Sequence, residues 1–415
     1  MTSAIPEYDL TRKPGCPFDP APAMHARHAE GPVTRVRLWD GSTPWLVTGH
    51  AEHRALLADP RVSVDHSHPG MPRVTQGARP TEAEMAQLME VLKDRPAPGL
   101  SFIMMDDPEH ARLRRMVTAT FMIKRMEAMR PAVQKIVDEF IDAMLAGPKP
   151  VDLVEAFALP VPSLVICELL GVPYDEHDLF QHNSKIIINR ASTALQRMQA
   201  QLELGDYLDE LLAEKLANPG DDLLSTLAER VKSGDLERQE AVSMAVLMLF
   251  AGHETTANMI ALGTLALLQH PDQLAVLRDT DDPKLIANAV EELLRYLTIT
   301  HGGLQRVALA DIELGGQTIR EGDGILVVNE TANRDPAVFA DPDHLDLHRD
   351  ARQHATFGHG IHACAGQPLA RLELQVVYPA LLRRIPTLRL ATDLDKIPFK
   401  HDGFVYGVYE LPVTW

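Results

Sequence analysis

The segment from Leu236 to about Gln269 constrains the fold of this 415-residue chain more than any other feature. It predicts one uninterrupted helix, with Asp235 available as the N-cap and Pro271 just beyond the end. At 1.5 Å per residue such a helix spans roughly 50 Å, the breadth of a whole domain. Residues 247–252 are apolar on nearly every face, so the helix is expected to cross the interior of a large globular unit.

A polar group, Glu254-Thr255-Thr256, follows this apolar stretch directly. An unpaired carboxylate inside a protein is costly, so the interior is expected to use it. On its own, such a group is more often a helix kink or a packing contact, because threonine hydroxyls commonly bond back to the previous turn. The residues alone leave both interpretations open.

The rest of the pattern predicts a mainly α protein with small β-sheets, an α+β fold. Helical periodicity covers residues 116–145, 161–170, 186–216, 222–232, 284–297 and 367–384. Strand patterns cover residues 33–39 and 45–48 around the Asp40-Gly41 turn, then 305–308, 311–314 and 324–328, with a closing hairpin over 403–415. Because no linker, repeat or low-complexity tract interrupts the chain, residues 1–415 are expected to form one domain. Its β-rich parts are about 33–64 and 305–328, and its helix-rich parts are 106–297 and 367–384.

Charge and cysteine content exclude several classes of protein. The 58 acidic residues outnumber the 40 Lys and Arg residues, and the net charge of −18 argues against nucleic acid or anionic lipid as a partner. Three cysteines are too few and too scattered for a disulfide framework, which fits a reducing cytoplasm. The N-terminal residues lack a signal-peptide pattern, and the longest apolar stretch, 241–252, is shorter than the ~20 residues of a bilayer span. A soluble cytoplasmic protein is therefore predicted.

Cys364 stands in the most informative motif, Phe357-Gly-His-Gly-Ile-His-Ala-Cys-Ala-Gly366. The glycines let the backbone approach closely and point amides at the sulfur, and a helix is predicted to begin just behind it. That environment favours a thiolate, which is suited to be an axial ligand of iron. A lone cysteine is more often a small buried core residue, but the surrounding pattern favours the ligand.

Zinc is a competing interpretation of the same region. His354, His359, His362 and Cys364 offer four possible ligands within a short stretch of chain. Their spacing does not match the usual paired arrangements of zinc sites, so this interpretation is kept only as an alternative.

The loop from Phe357 to Gly366 resembles the haem-binding loop of the cytochrome P450 superfamily. Three further motifs agree with it in order and separation, so the resemblance covers nearly the whole chain, from about Cys16 to Trp415. It implies a single P450 catalytic domain over 1–415, without a fused reductase, that binds haem b with Cys364 as the axial ligand of the iron and Phe357 and Gly358 beside the cofactor. Ala365 is a departure, since many relatives carry a larger aliphatic residue there.

The second matching motif, Ala251-Gly-His-Glu-Thr-Thr256, resembles the oxygen-activation segment of the family's central helix. The resemblance implies that Ala251 lies against the haem, that Thr255 is the alcohol beside bound dioxygen, and that Glu254 is the acid that helps relay protons. The chemistry requires such a pair, because reduced dioxygen must take up two protons in an otherwise dry pocket.

The other two motifs concern cofactor binding and stability. Glu292-Leu-Leu-Arg295 resembles the family's Glu-x-x-Arg pair, with Arg349 as the third member, and its implied role is structural. The segment 107–115 resembles the helix at the haem edge. By that resemblance the haem propionates bind four cationic or hydrogen-bonding side chains, His110, Arg114, Arg306 and His362.

The resemblance also implies a reaction and its partners. The expected enzyme is a monooxygenase that hydroxylates or epoxidises a bulky hydrophobic molecule of macrolide, steroid, terpenoid or polyketide type. Electrons from NAD(P)H would arrive through an external ferredoxin and its reductase, and the basic residues Arg112, Arg115, Lys124 and Arg125 are either the ferredoxin docking site or a merely solvated face. A peroxide-driven enzyme and a non-catalytic haem-thiolate binding protein are the alternatives.

The expected substrate pocket is largely apolar. Its implied walls are residues 91–105 and 180–195, the stretch 297–303, and the individual residues Phe250, Leu297, Ile299, Phe404 and Val405. A monomer is expected, with no nucleic-acid partner and no membrane.

Overall fold

The computed structural model describes residues 5–13, 15–74, 82–93, 102–173, 177–188, 192–401 and 404–415. The predicted pocket segments 91–105 and 180–195 lie partly outside the described residues.

Helices make up most of the described chain. They are α1 (Pro22–Glu30), α2 (His50–Leu57), α3 (Glu82–Leu92), α4 (Glu109–Thr118), α5 (Ile123–Ala146), α6 (Pro160–Leu170), α7 (His177–Ile188), α8 (Ala194–Ala217), α9 (Leu223–Ser233), α10 (Arg238–Gln269), α11 (Pro271–Asp279), α12 (Pro283–Leu297), α13 (Asn329–Ala332) and α14 (Gln367–Arg384). Four of them, α1, α6, α11 and α12, begin with proline, whose missing N–H costs nothing in a first turn. The prediction of a mainly α fold is confirmed.

Small sheets complete the described fold. The strands are β1 (Val33–Arg35), β2 (Trp45–Val47), β3 (Val62–Ser63), β4 (Val151–Asp152), β5 (Leu304–Ala308), β6 (Ile312–Leu314), β7 (Gln317–Ile319), β8 (Gly324–Val327), β9 (Arg389–Leu390) and β10 (Pro412–Thr414). The largest sheet has the order β1-β2-β8-β5-β3, with β2 and β8 parallel and its other neighbours antiparallel. Strands β6 and β7 form a hairpin, and β10 lies between β4 and β9.

The predicted central helix is α10. It begins two residues later than expected, because Glu237 and not Asp235 is its N-cap, and the Glu240 carboxylate accepts a hydrogen bond from the Glu237 N–H at 3.0 Å. Asp235 instead accepts from the Ser233 hydroxyl at 2.9 Å. The 32 residues of α10 span about 48 Å, and most of their side chains are buried.

Small residues on α10 let neighbouring helices approach it closely. A Cβ on Gly252 would lie 2.7 Å from Ile166 of α6, and a Cβ on Gly263 would lie 2.0 Å from the Tyr378 hydroxyl of α14. That hydroxyl donates to the Met259 carbonyl of α10 at 2.6 Å. Helix α14 and the loop before it are thereby fixed against the middle of the molecule.

Three further sequence predictions need correction. The periodic segment 116–145 is two helices, since α4 ends at Thr118 and α5 begins at Ile123. The segment 186–216 likewise divides between α7 and α8, and Thr193 caps α8 with its hydroxyl. The predicted closing hairpin over 403–415 is wrong, because β10 pairs with β4 on one side and β9 on the other, and both partners are far away in sequence.

Candidate active site

Cys364 lies in the loop directly before α14, residues 357–366, which we call the cysteine loop. The Cys364 N–H donates to the Phe357 carbonyl at 2.9 Å and closes the loop. Gly358 and Gly360 adopt φ values of +70° and +72°, and a Cβ on Gly360 would lie 2.1 Å from the Leu57 carbonyl. Only glycine fits such a position, which explains how the loop packs against the end of α2.

The sulfur of Cys364 faces the start of α14. The amides of Gly366 and Gln367 donate to it, as the sequence predicts. Burial nevertheless raises the pKa of the Cys364 thiol, and the two amides with the nearby guanidinium groups of Arg114 and Arg371 reduce that rise without cancelling it. The side chain keeps accessible surface even though protein atoms surround it closely. The loop alone therefore does not make the thiolate the favoured form.

The middle of α10 has four partly accessible residues, and two of them, Ala251 and Thr255, form one narrow accessible stripe. Phe250, Ala251, Gly252 and Thr255 keep accessible surface, although every other residue from 247 to 267 is buried. Ala251 and Thr255 are four residues apart and lie on the same face of the helix. An otherwise buried helix with an accessible stripe at its centre lines an internal space.

Glu254 and Thr255 are neighbours with separate partners. The Thr255 hydroxyl donates to the Ala251 carbonyl at 2.8 Å, the back-bond to the previous turn that the sequence had left open. The Glu254 carboxylate is 3% exposed, and it accepts hydrogen bonds from Lys400 Nζ at 2.9 Å and Asn258 Nδ2 at 3.0 Å. Lys400 is a residue that the sequence analysis missed, because nothing local links it to a position 146 residues earlier.

The structure brings together the four side chains that were predicted to bind propionates. His110 and Arg114 lie on α4, Arg306 lies on β5, and His362 lies in the cysteine loop. The ring centroids of His110 and His362 are 4.1 Å apart, and Arg114 donates to the Ala363 carbonyl. Burial lowers the pKa of His362 to about 4, with further lowering from His110 and Arg306, and burial lowers the pKa of Arg306 to about 10.

Two buried ring nitrogens without partners, together with two arginines, mark this cluster as a site for an anionic group. Nε2 of His110 and Nε2 of His362 are buried, and neither has a hydrogen-bond partner among the described residues. Unpaired buried polar atoms are rare in folded proteins and indicate a missing partner. The two histidines and two arginines fit a pair of carboxylates, while Cys364 and the stripe on α10 offer accessible surface near the interior. These residues fit a haem.

The Glu292 carboxylate accepts hydrogen bonds from both Arg295 and Arg349. Arg295 donates to both oxygens of Glu292, at 2.7 and 2.8 Å, and both side chains are fully buried. Arg349 Nε donates to Glu292 at 3.2 Å, and Arg295 also donates to the Asn333 carbonyl at 2.8 Å. The Asn333 side chain in turn accepts from the Ala355 amide at 2.6 Å. The ion pair is therefore connected to the chain that leads into the cysteine loop.

A second ionic cluster beside the loop was not predicted. Glu291 accepts from Arg371 at 2.6 Å and contacts His354 Nε2 at 3.0 Å. Burial raises the pKa of Glu291, but the hydrogen bonds from His354 and Arg371 outweigh it, and the net pKa falls to about 2. Arg371 also covers the Phe357 ring, with its guanidinium carbon 4.6 Å from the ring centroid. The sequence signal was weak, since Glu291 is simply the neighbour of Glu292.

The zinc interpretation fails in the described part of the chain. His354 is occupied by Glu291, and His362 lies against His110. No group of three or more His, Cys, Asp or Glu side chains among the described residues has a geometry that could hold a metal ion.

Most predicted pocket residues lie on two adjoining segments. The Tyr406 N–H donates to the Ile299 carbonyl at 2.7 Å, and Thr300 forms a bridge with Val405. Leu297, Ile299 and Val405 are buried, Phe404 is 44% exposed, and Phe250 lies on the accessible stretch of α10.

The predicted basic patch is partly neutralised. Arg112 pairs with Glu240 of α10, and Arg125 pairs with Asp221 at 3.3 Å. Arg115 and Lys124 are exposed, and both lie close in sequence to Arg114, which contacts the cysteine loop. Two of the four cations thus remain the stronger candidates for contact with a partner.

One helix in the described chain, α10, is long and apolar enough to cross a membrane. However, 72% of its most apolar window is buried inside the molecule, as expected for a core helix.

In comparisons with known proteins, this chain is similar to cytochromes P450. The sequence model described as "Cytochrome P450" matches residues 170–406. "Cytochrome P450 GfsF" of Streptomyces halstedii is 54% identical over 412 residues, which cover 99% of this chain and 96% of that protein. Its crystal structure superposes with a TM-score of 0.88 and covers 99% of this chain and 100% of that one.

Two further solved structures contain bound molecules. "CYP105P1 in complex with filipin I" is 42% identical, with a TM-score of 0.89 and coverage of 99% of both chains. The "mycinamicin VIII C21 methyl hydroxylase MycCI from Micromonospora griseorubida bound to mycinamicin VIII" is 40% identical, with a TM-score of 0.85 and coverage of 100% of this chain and 99% of that one.

Proposed function

The chain belongs to the cytochrome P450 superfamily, whose members are haem-dependent monooxygenases, and we propose that it oxidises a large hydrophobic molecule of macrolide type. The bound filipin I and mycinamicin VIII of the two similar structures support this substrate class. The accessible stripe on α10 and the largely apolar character of the predicted pocket residues support it as well.

One observation carries the proposed role of the cysteine loop. Cys364 keeps accessible surface, its sulfur accepts from two backbone amides at the N-terminus of α14, and it lies near Arg114 of α4, the helix on which His110 has an unpaired buried nitrogen. We assign Cys364 to the haem iron. Phe357, Gly358 and Ala251 are assigned to the surroundings of the porphyrin.

The four clustered side chains are assigned to the propionates. Nε2 of His110 and Nε2 of His362 have no partner in the described chain, so each can donate to a carboxylate in the tautomer or charge state that places a proton on it. Arg114 and Arg306 add positive charge, and charge-assisted bonds of this kind are stronger than neutral ones.

The haem supplies the redox chemistry that cleaves dioxygen with electrons derived from NAD(P)H. The chain itself has to exclude water and deliver protons. Thr255 Oγ1 lies on the accessible stripe of α10 and is the hydroxyl that can pass a proton into the space beside the helix. The buried Glu254 carboxylate is the acid next to it in sequence, and it is proposed to reload that hydroxyl.

Electrons are proposed to come from an acidic ferredoxin served by a separate reductase. The exposed cations Arg115 and Lys124 support a docking face beside α4, which contacts the cysteine loop through Arg114. Replacement of both by glutamate is expected to raise the KM for ferredoxin, with a steep dependence on salt. Lys396→Glu, far along the chain and paired with Asp393, is the matched control. An unchanged KM in the double variant would remove the docking proposal.

A cytoplasmic monomer is proposed, in keeping with three unbridged cysteines in the described structure. A peroxide-driven reaction and a non-catalytic haem protein remain the alternatives. The deciding experiment measures product from a macrolide panel with ferredoxin, reductase and NADPH, and separately with hydrogen peroxide. The proposal expects product in the first assay at a rate well above the second. Turnover only with peroxide, or substrate binding without turnover, would favour the alternatives.

A further inference from the structure

The Glu254 carboxylate is held by a residue from the far end of the chain. Lys400 Nζ lies 2.9 Å from Glu254 Oε1, and the exposed fractions of the two side chains are 16% and 3%. The carboxylate is therefore closed off by protein, whereas the ammonium still reaches the surface. The Asn258 amide is a second donor to the same oxygen, at 3.0 Å.

Lys400 belongs to a turn that packs directly on α10. We call residues 398–401 and 404–409 the C-terminal turn. The Lys400 N–H donates to the Gly407 carbonyl at 2.8 Å, and Phe399 forms a bridge with Val408. A Cβ on Gly407 would lie 1.7 Å from Asn258 Oδ1, so the turn has no space between itself and the Glu254 face of α10.

The other edge of the C-terminal turn belongs to the predicted substrate pocket. Tyr406 is bonded to Ile299, Thr300 forms a bridge with Val405, and the His301 N–H donates to the Phe404 carbonyl at 2.9 Å. One short segment thus connects the proposed pocket wall with the proposed proton-delivering acid.

The charge of Lys400 favours the ionised form of Glu254. Burial on its own raises the pKa of a carboxyl group, but Lys400, with smaller contributions from His253 and Asn258, outweighs burial, and the pKa of Glu254 lies below its ordinary value. Lys400 also fixes the carboxylate in an ion pair, whereas the Thr255 hydroxyl is bonded to Ala251.

We propose that Lys400 is a positioning residue for proton delivery, which keeps Glu254 ionised and bound to the C-terminal turn until the carboxylate takes up a proton for Thr255. The inference rests on the proposed function, since it assigns Glu254 to proton supply. The inference assigns a role in proton supply to a residue outside α10. It also connects the proposed pocket wall with the acid that supplies the proton.

The test compares Lys400→Met with Lys400→Arg, which keeps the charge, and with Lys396→Met as a control in the same region. Infrared titration of the haem-loaded protein reports the protonated carboxyl of Glu254, identified by its loss in Glu254→Gln. We expect Lys400→Met to move this titration upward by at least one pH unit, and the other two variants to leave it near that of the wild type.

A second measurement determines where the electrons from NADPH go. Substrate-free NADPH oxidation with a [2Fe–2S] ferredoxin and its reductase gives the fraction of electrons released as hydrogen peroxide. We expect Lys400→Met to change that fraction about threefold or more. In a protein that already carries Glu254→Gln, we expect Lys400→Met to cause no further change in the fraction. An unshifted Glu254 titration, or an effect of Lys400→Met that persists without Glu254, would overturn the inference. If Lys400→Met does not fold, Lys400→Gln is judged by the same two criteria.

The infrared result separates this inference from the proposed function. A wild-type protein without monooxygenase activity would contradict the proposed function, yet the titration would still show whether Lys400 sets the charge of Glu254.

Discussion

His110 and His362 lie with their ring centroids 4.1 Å apart, although one is on α4 and the other in the cysteine loop. Both have a buried Nε2 without a partner in the described chain. A shared anionic ligand explains why two unpaired ring nitrogens from distant segments lie together with Arg114 and Arg306.

Replacement of His110 by alanine tests this explanation. A hydrogen bond to a charged group contributes about 1.5–3 kcal/mol, so the variant should bind haem roughly 10- to 150-fold more weakly. The rate of haem transfer to an acceptor apoprotein measures this loss. His348→Ala, at an exposed position, is the control, and equal haem loss from both variants would contradict the assignment.

Glu292→Gln should destabilise the protein strongly. The change leaves Arg295 buried without its anionic partner, and breaking a buried ion pair in this way costs about 3–5 kcal/mol. Urea denaturation of the haem-loaded protein measures the free energy of unfolding. Asp350→Asn breaks an exposed pair with Arg352 and should leave stability unchanged. Similar stability of the two variants would show that the Glu292 pair has no special structural role.

The Thr255→Ala variant should still bind haem, but its NADPH oxidation should no longer be coupled to oxidation of the substrate. The side chain lies on the accessible stripe of α10, so its removal leaves the fold intact but takes away the proposed proton-carrying hydroxyl. NADPH consumption should continue, with most electrons appearing as hydrogen peroxide. Thr256→Ala, whose side chain is buried, provides the comparison. Unchanged coupling in Thr255→Ala would refute the role of Thr255.

Acid should destabilise the protein through His53. Burial lowers the pKa of this fully buried histidine to about 4, despite its hydrogen bond to Asn329 at 2.7 Å. Between pH 6.5 and about 4 the unfolded chain binds a proton that the folded chain does not, so the free energy of unfolding falls as pH falls through this window, by about 2–4 kcal/mol. His53→Gln should reduce this slope, and an identical pH dependence of stability in both proteins would contradict it.

Local signals predicted most of the fold. Helix α14 begins and ends where the periodicity of 367–384 predicted, and α12 begins one residue before the expected start, at Pro283. Helix ends of this kind are determined by proline, glycine and capping residues that lie within the same few positions. The β10 pairing could not be predicted in this way, because its partners are near residues 151 and 390.

The candidate site likewise has residues that the local sequence predicts and contacts that it does not predict. The cysteine loop and the Glu254-Thr255 pair were recognisable because their residues are adjacent in sequence. The contacts of Glu254 with Lys400 and of Glu291 with Arg371 depend on tertiary packing, and single residues of common types carry no periodic signal. The raised pKa of the Cys364 thiol was also missed, since desolvation depends on the surrounding fold.

The most direct test of the account is the carbon monoxide difference spectrum of the reduced protein and of its Cys364→Ser variant. The wild-type protein should show the red-shifted absorption band that a thiolate ligand gives, and the variant should lose it while the fold, followed by far-UV circular dichroism, is retained. An identical spectrum from both proteins would contradict the assignment of Cys364 to the iron, and with it the proposed active site.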